Sequence, residues 1–306
     1  MKLKALEALI RVVDAGSVRA GARSLKVSQP TVTAALHQLE EELGAQLLVR
    51  TKRGVQPTSY GQVLIQRART IAAEARRARE EIAQLRGDWH GAVTFAVSPA
   101  IGLEVIPDVV RAYTRRFPTV KLHCSEGIFP EVAPSVRAGL LDFAVGPGPS
   151  PKDTVHGSLY IEPLLTADVV IAGAGSHPAS NAKSIRELRD CNWVLSGALT
   201  DRGAIIVDTF ASYGLPSPRI GMVCTSFLMV PAIVAATGML ATMPRAVLNS
   251  AARRYDLVEV QIREKLAPRT IVVMRSAESP PTPAASALID AIRRAARRGK
   301  TALRAG

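Results

Sequence analysis

Ser17 to Gly44, SVRAGARSLKVSQPTVTAALHQLEEELG, holds two short helical patterns joined by a tight turn. The first runs over about Val18–Leu25, with Ser17 after Gly16 as its N-cap, and the turn is Lys26-Val27-Ser28. The second opens at Ser28, which can cap free backbone N–H groups. It tolerates Pro30 in its first turn, where a missing N–H costs little. Gly44 suits the residue that ends it. Val32, Leu36, Leu39 and Leu43 recur at helical spacing and predict one buried face, opposite Gln29, Thr33, Ala34 and His37. A short helix, a tight turn and a second helix with a small polar N-terminal face describe a helix-turn-helix. In that motif the first residues of the second helix meet base edges in the major groove. The pattern also fits an αα-hairpin in a helical bundle; the flanking segments favour the helix-turn-helix.

Before it, Leu3, Leu6, Ile10 and Val13 form a stripe that predicts a helix over about Lys2–Ala15. After it, Leu47–Arg50 and Val55–Pro57 read as short strands around Thr51-Lys52-Arg53-Gly54. This is the wing of a winged helix. Its cations, Arg50, Lys52 and Arg53, can meet phosphates or enter the minor groove; taken alone they would be an ordinary exposed hairpin tip. Thr58 or Ser59 then opens a helix to about Arg86, on which Leu64, Ala68, Ile71, Ala75, Ala78, Ile82 and Leu85 make a heptad seam. A lone helix does not keep such a seam uncovered, so it predicts a homodimer; the alternative is a helix packed on its own body.

A chain of 306 residues has room for two domains and a full core. The formal charge of +13 is carried by the first 90 residues and the last 16, around a nearly balanced body. A basic N-terminal segment on a neutral body fits a nucleic-acid-binding domain attached to something else, and the basic tail reads as a solvated helix end. Glu7 and Arg11 interrupt the first apolar run, and no other stretch is long and uncharged enough to span a membrane, so a cytoplasmic protein is expected. Cys124, Cys191 and Cys224 are far apart and odd in number, which suits a reducing compartment. No cysteine or histidine pair has metal-site spacing. No HExxH, P-loop or GxGxxG after a strand is present, so neither a catalytic residue nor a cofactor is expected.

Beyond Gly87-Asp88-Trp89-His90-Gly91 the period changes. Strands at Val93–Val97, Val120–Cys124 and Phe143–Val145 alternate with helices at Leu103–Phe117 and Val132–Leu141. Further strands at Thr166–Ala172, Trp193–Leu195, Ile220–Val223, Leu240–Met243 and Arg269–Met274 alternate with helices up to a closing helix over Thr282–Arg298. This predicts an α/β fold with parallel sheets. Open α/β sheets bind ligands beyond the carboxyl ends of their strands. Ser98 with Pro99, Ser196, and Thr225-Ser226 with Phe227 stand at such ends. Each serine alone could equally be a helix cap; three at equivalent strand ends point to a small anion held by neutral donors.

Ala22, Leu25, Ser28-Gln29-Pro30, Leu39-Glu40, Leu43-Gly44, Leu47-Leu48, Arg50, Thr58 and Gly61 stand in an order and spacing that resemble the N-terminal domain of LysR-type transcriptional regulators. SPAIGL, YGLPSPRIG, VCTSFL and TMPR further resemble the toluenesulfonate-degradation regulators of that family. The resemblance implies a winged helix-turn-helix over 1–58, a linker and dimerisation helix over 59–87, and an effector-binding domain over 91–306. That domain would have the two-lobed periplasmic-binding-protein-like fold, with lobe I at 91–162 and 269–306 and lobe II at 163–268. It implies double-stranded DNA as partner, read through Gln29, Pro30, Thr31 and Thr33, with Ser28 also at the DNA and Arg50, Lys52 and Arg53 of the wing supporting. Ala34 departs from the longer side chain often found at its position. It also implies a homodimer through the linker helix within a homotetramer, and an effector cleft lined by Ser98, Pro99, Ala100, Gly127, Ile128, Phe129, Gly146, Ser196, Gly203, Ser226 and Phe227 that takes a small organic acid, aromatic acids included. The alternative function is a cytoplasmic solute-binding protein whose N-terminal domain only oligomerises.

Overall fold

The computed structural model describes residues 1–51, 54–149, 157–196 and 204–303. The first unit spans essentially residues 1–91. Helices α1 (Leu3–Asp14), α2 (Val18–Leu25) and α3 (Gln29–Leu43) are followed by strands β1 (Leu48–Thr51) and β2 (Gly54–Pro57) and by the long helix α4 (Ser59–Leu85). The local signals act as the sequence suggests. The hydroxyls of Ser17, Ser28 and Thr58 each accept a backbone N–H at the start of their helices, and Gly44 ends α3 in the left-handed region. Lys26 closes α2 in the same region, with φ +56°. The core joins Leu6, Leu9 and Val12 of α1 to Ala22, Val32, Leu36, Leu39, Leu47, Ile65 and Ala68.

Two stripes differ from expectation. On α1 the fully buried positions are Ala5, Leu6, Ala8, Leu9 and Val12, while Leu3, Ile10 and Val13 are half-buried. α1 packs on α2, α3 and α4 together, so its apolar arc is wider than one stripe. On α3, Leu43 is 44% exposed, because the buried face ends at Leu39. The seam of α4 also divides. Leu64 and Ala68 turn onto the winged-helix core, whereas Ile71, Ala78, Ile82 and Leu85 are exposed, joined by Tyr60 and Val63. Ala75 is half-buried between the two sets. At 100° per residue, Tyr60, Ile71, Ala78, Ile82 and Leu85 share one face.

The junction into α4 is built from side chains that satisfy backbone. Glu40 accepts the N–H groups of Leu47 (2.7 Å) and Leu48 (3.3 Å), and the Thr58 hydroxyl donates to the carbonyl of Gln46 at 2.7 Å. Gly61 passes so close that a Cβ there would fall on the Leu47 carbonyl oxygen. The wing is likewise fixed: Gly54 (φ +109°) would bring a Cβ within 2.5 Å of the Gly16 carbonyl oxygen, which accepts the Val55 N–H at 2.9 Å.

The second unit holds two α/β lobes. The first contains β3 (Gly91–Val97), α5 (Pro99–Glu104), α6 (Ile106–Arg116), β4 (Val120–Glu126), α7 (Ala133–Arg137), β5 (Phe143–Pro147) and β6 (Leu159–Ala167). The second contains β7 (Val169–Ala174), β8 (Asn192–Ser196), α8 (Ile205–Ser212), β9 (Arg219–Cys224), α9 (Val230–Thr237), β10 (Leu240–Pro244), α10 (Arg245–Tyr255) and β11 (Leu257–Glu259). Finally, β12 (Arg269–Ser276) and α11 (Pro283–Leu303) return to the first lobe. The sheet orders are β4-β3-β5-β12-β6 and β11-β7-β10-β8-β9. Both faces of the second sheet are covered: Val170, Ala172 and Val194 pack on one side, Ile171, Trp193 and Leu195 on the other.

The sheets are mixed rather than parallel. β3 runs parallel to β5, and β8 runs parallel to β9 and β10. β12 is antiparallel to β5 and β6, and β7 is antiparallel to β10 and β11, because these strands carry the chain between lobes instead of closing a strand–helix–strand crossover. The change of sheet falls at Asp168, later than the sequence assignment at Pro163, since residues up to Ala167 pair with β12. The helix expected over Leu103–Phe117 is two helices, broken at Val105, with Pro107 in the first turn of the second. In the first lobe α6 is locked to α11 by the Tyr113 hydroxyl, which donates to the Ala284 carbonyl at 2.9 Å. Burial, then the nearby Asp142, pushes that phenol up to about 12.

Gly61→Ala tests the junction. The added methyl forces the β1 entry and α4 apart, with an expected loss of about 1–3 kcal/mol. Thermal denaturation of an isolated 1–62 fragment and of the full chain should both register it.

Candidate DNA interface and effector cleft

At the start of α3 the backbone direction and the caps present a small polar surface. Ser28, Gln29, Pro30 and Thr31 are exposed and Thr33 is half-buried. Ser28 and Thr31 hold one another: their hydroxyls lie 2.7 Å apart and the Thr31 N–H donates to Ser28 Oγ at 3.3 Å. Gln29 extends beside them, and among the described residues nothing holds its amide. Arg50 is exposed on β1, across from Val55. Lys52 and Arg53, the remaining wing cations, lie outside the described residues. Arg19 and Arg23 also stand exposed on α2, four residues apart.

Between the two lobes lies a cavity of about 330 Å³. One wall comes from the first lobe: Val97, Ser98, Pro99, Gly102 and Leu103 at the end of β3 and along α5, and Cys124, Ser125 and Glu126 at the end of β4. The other comes from the second lobe: Phe227, Leu228 and Pro231 before and within α9, and Val247, Ser250, Ala251, Arg254 and Tyr255 along α10. The lining is mainly apolar. Burial pushes the Cys124 thiol up, so it stays protonated at neutral pH.

Ser98 is the outstanding polar group. It is 3% exposed, its backbone N–H donates to Val145 O at 2.8 Å, and among the described residues its hydroxyl has neither a cap bond nor any other partner. Gly146 makes room for it, since a Cβ there would sit 3.2 Å from Ser98 Cβ. The cap alternative therefore does not apply to Ser98.

The other strand-end residues disperse. Phe227 and Pro99 line the cavity, and Ala100 is buried behind them. Ser196 does not line it; its hydroxyl donates to the Thr242 carbonyl at 3.2 Å. Ser226 opens a turn rather than a helix, because α9 begins only at Val230. Its carbonyl accepts the Met229 N–H at 3.1 Å. Gly127 donates to Val97 O at 3.1 Å and packs so that a Cβ would meet Val132 at 2.5 Å. Ile128 is half-buried and Phe129 packs on the first-lobe core. Gly203 lies outside the described residues. The α10 wall lies outside the strand ends to which the sequence points, because it is one face of a helix.

Residues 3–62 match the model of the bacterial regulatory helix-turn-helix protein, lysR family, and residues 86–297 match the LysR substrate binding domain. The chain belongs to the LysR family: it is a DNA-binding transcriptional regulator with an effector-binding domain, and not an enzyme. It is 26% identical to the HTH-type transcriptional regulator GalR of Pseudomonas putida over 94% of this chain and 72% of that one. Its fold resembles that of CbnR, a LysR family transcriptional regulator, with a TM-score of 0.71 at 24% identity over 97% and 99% of the two chains. CbnR in complex with its target DNA gives a TM-score of 0.69 at 24% identity over 96% and 100%. The alternative of a solute-binding protein with a merely oligomerising N-terminal domain gives way to this membership. Among the described residues no helix is long and apolar enough to cross a membrane.

An unpartnered buried hydroxyl costs about 1–3 kcal/mol of desolvation. Ser98→Ala should therefore raise the melting temperature of the ligand-free effector domain, whereas loss of a true cap would lower it. Scanning calorimetry of wild type and variant without ligand reads the sign directly.

Proposed function

We propose that this regulator acts in the cytoplasm as a homodimer paired through α4, within a homotetramer, and that a small organic acid in the inter-lobe cavity controls it. In this reading residues 1–58 bind DNA, 59–87 pair two chains and 91–306 bind the effector. Gln29, Pro30, Thr31 and Thr33 face bases while Ser28, Arg50, Lys52 and Arg53 support at the backbone. The observation that carries the effector reading is the buried Ser98 hydroxyl, without a partner among the described residues, on a residue that lines an apolar cavity whose walls come from different lobes. It donates to an oxygen of the effector, and Phe227 packs on the apolar body. Two of the segments that resemble toluenesulfonate-degradation regulators, SPAIGL and VCTSFL, contribute Ser98, Pro99, Gly102, Leu103, Phe227 and Leu228 to these walls. That supports an aromatic carboxylate or sulfonate as the acid. A ligand bridging two lobes favours one separation of them, which is how it biases the assembly. A thermal-shift screen of small aromatic and aliphatic acids tests the reading, because a ligand of the folded state alone raises the melting temperature; if no acid does so, the cavity is not an effector site.

Gln29 can pair bidentately with an adenine edge, so Gln29→Ala should weaken binding to the operator by about 1–3 kcal/mol and leave non-specific binding almost unchanged. Equal loss on operator and random DNA, measured by fluorescence anisotropy, would mean that Gln29 does not read sequence.

Tyr60, Ile71, Ala78, Ile82 and Leu85 form an uncovered apolar face on α4. Facing carboxylates in a paired seam would be buried without partners. Ile82→Glu, at a side chain 61% exposed in the single chain, should leave the monomer folded and abolish dimers in analytical ultracentrifugation at micromolar concentration. A variant that sediments like wild type would move the interface off α4.

A further inference from the structure

We propose that the acid group of the effector is held by Arg254 on the second lobe, and that Glu126 across the cavity restricts the site to monoanions. The inference rests on the effector reading above and adds a second anchor to it.

On α10, Val247, Ser250, Ala251 and Arg254 recur at spacings of three and four, so they form one face. Val247 and Ala251 are buried in that face and Arg254 is its charged end. Its guanidinium lies over the Tyr255 ring, 5.2 Å from the centroid, and among the described residues no carboxylate pairs with it. Arg245, at the other end of α10, and Arg293 are instead each paired, with Glu259 and Glu162. Arg254 is thus an exposed planar cation with open donors among the residues that line a mainly apolar cavity. A guanidinium presents two parallel donors to a carboxylate, and neighbouring low-dielectric walls strengthen the pair relative to open solvent.

On the facing wall Glu126 ends β4, exposed and, among the described residues, without a cationic partner. Val97, Leu103, Phe227 and Pro231 line the same cavity. A ligand with one acid group satisfies Arg254 and lays its apolar body across these side chains. A second acid group at the far end of a rigid body would approach Glu126 and be repelled. A cavity of about 330 Å³ is at the small end of ligand sites, which suits a single ring.

Calorimetric titration of the full-length protein at constant ionic strength tests this with benzoate, benzamide and benzene-1,4-dicarboxylate. Wild type should bind benzoate about tenfold or more tighter than the other two, as expected for a charge-assisted pair. Arg254→Gln should bring benzoate down to the affinity of benzamide, and Arg254→Lys should recover part of the loss. Glu126→Gln should raise dicarboxylate affinity by about tenfold and benzoate affinity by clearly less. Ser98→Ala should weaken benzoate and benzamide alike. If Arg254→Gln keeps the preference for benzoate while Ser98→Ala loses affinity, Arg254 only complements the C-terminus of α10 and the effector reading survives without it. If wild type binds the dicarboxylate as well as benzoate, Glu126 has no selecting role. If wild type binds none of the three, both the anchor and the acid-binding cavity are overturned.

Discussion

The chain passes between its two lobes twice, at Asp168 and again between Glu259 and Arg269. Everything distinctive in the effector domain follows from those passages. They make the sheets mixed, because β12 enters the first sheet against the direction of its two neighbours, β5 and β6. They also put the cavity walls on separate bodies: Ser98, Leu103 and Glu126 belong to one lobe, Phe227 and α10 to the other. The first passage is fixed by backbone. Arg245 N–H donates to Asp168 O at 3.1 Å, and Val260 N–H donates to Ile171 O at 2.9 Å. Two tethers side by side leave opening and closing as the cheap relative motion of the lobes.

The DNA-binding half follows a different economy. Its short loops are held by side chains that serve the backbone. Glu40 takes two N–H groups at the entry to the wing, Thr58 takes the carbonyl side, and Gly61 supplies the clearance. These are the positions that gave the sequence its resemblance to the family, and their roles are packing and polar satisfaction. Gln29 and Pro30, exposed at the start of α3, take no part in that support.

What could be read from the sequence was what short-range chemistry determines. Ser17, Ser28 and Thr58 announced helix starts, Gly44 a helix end, and the structure uses each as such. Ser98 could be singled out because a hydroxyl directly after a buried strand stands where α/β sheets place ligands. Non-local facts were illegible. The direction of β12 depends on where the chain returns from. The burial of Leu64 and Ala68, against the exposure of Ile82 and Leu85, depends on how far the winged-helix core reaches along α4. Ser196 looked equivalent to Ser98 until the Thr242 carbonyl claimed its hydroxyl. Arg254 sits in a helix tail with Arg253, where a basic pair ordinarily serves the helix end; only the packing of α10 against α5 turns one of the two toward a cavity.

The same helix has a mechanical property. α10 is tied at its first residue to the crossing at Asp168 and borders the cavity along its later turns. Eleven residues make a rod about 16 Å long, so a turn of about 10° at its tethered end sweeps its tip through about 3 Å. α10 is in effect a crank: a displacement of about 2 Å at its tip corresponds to a rotation of about 7° at the pivot, and the reverse stroke carries any such rotation back to the ligand.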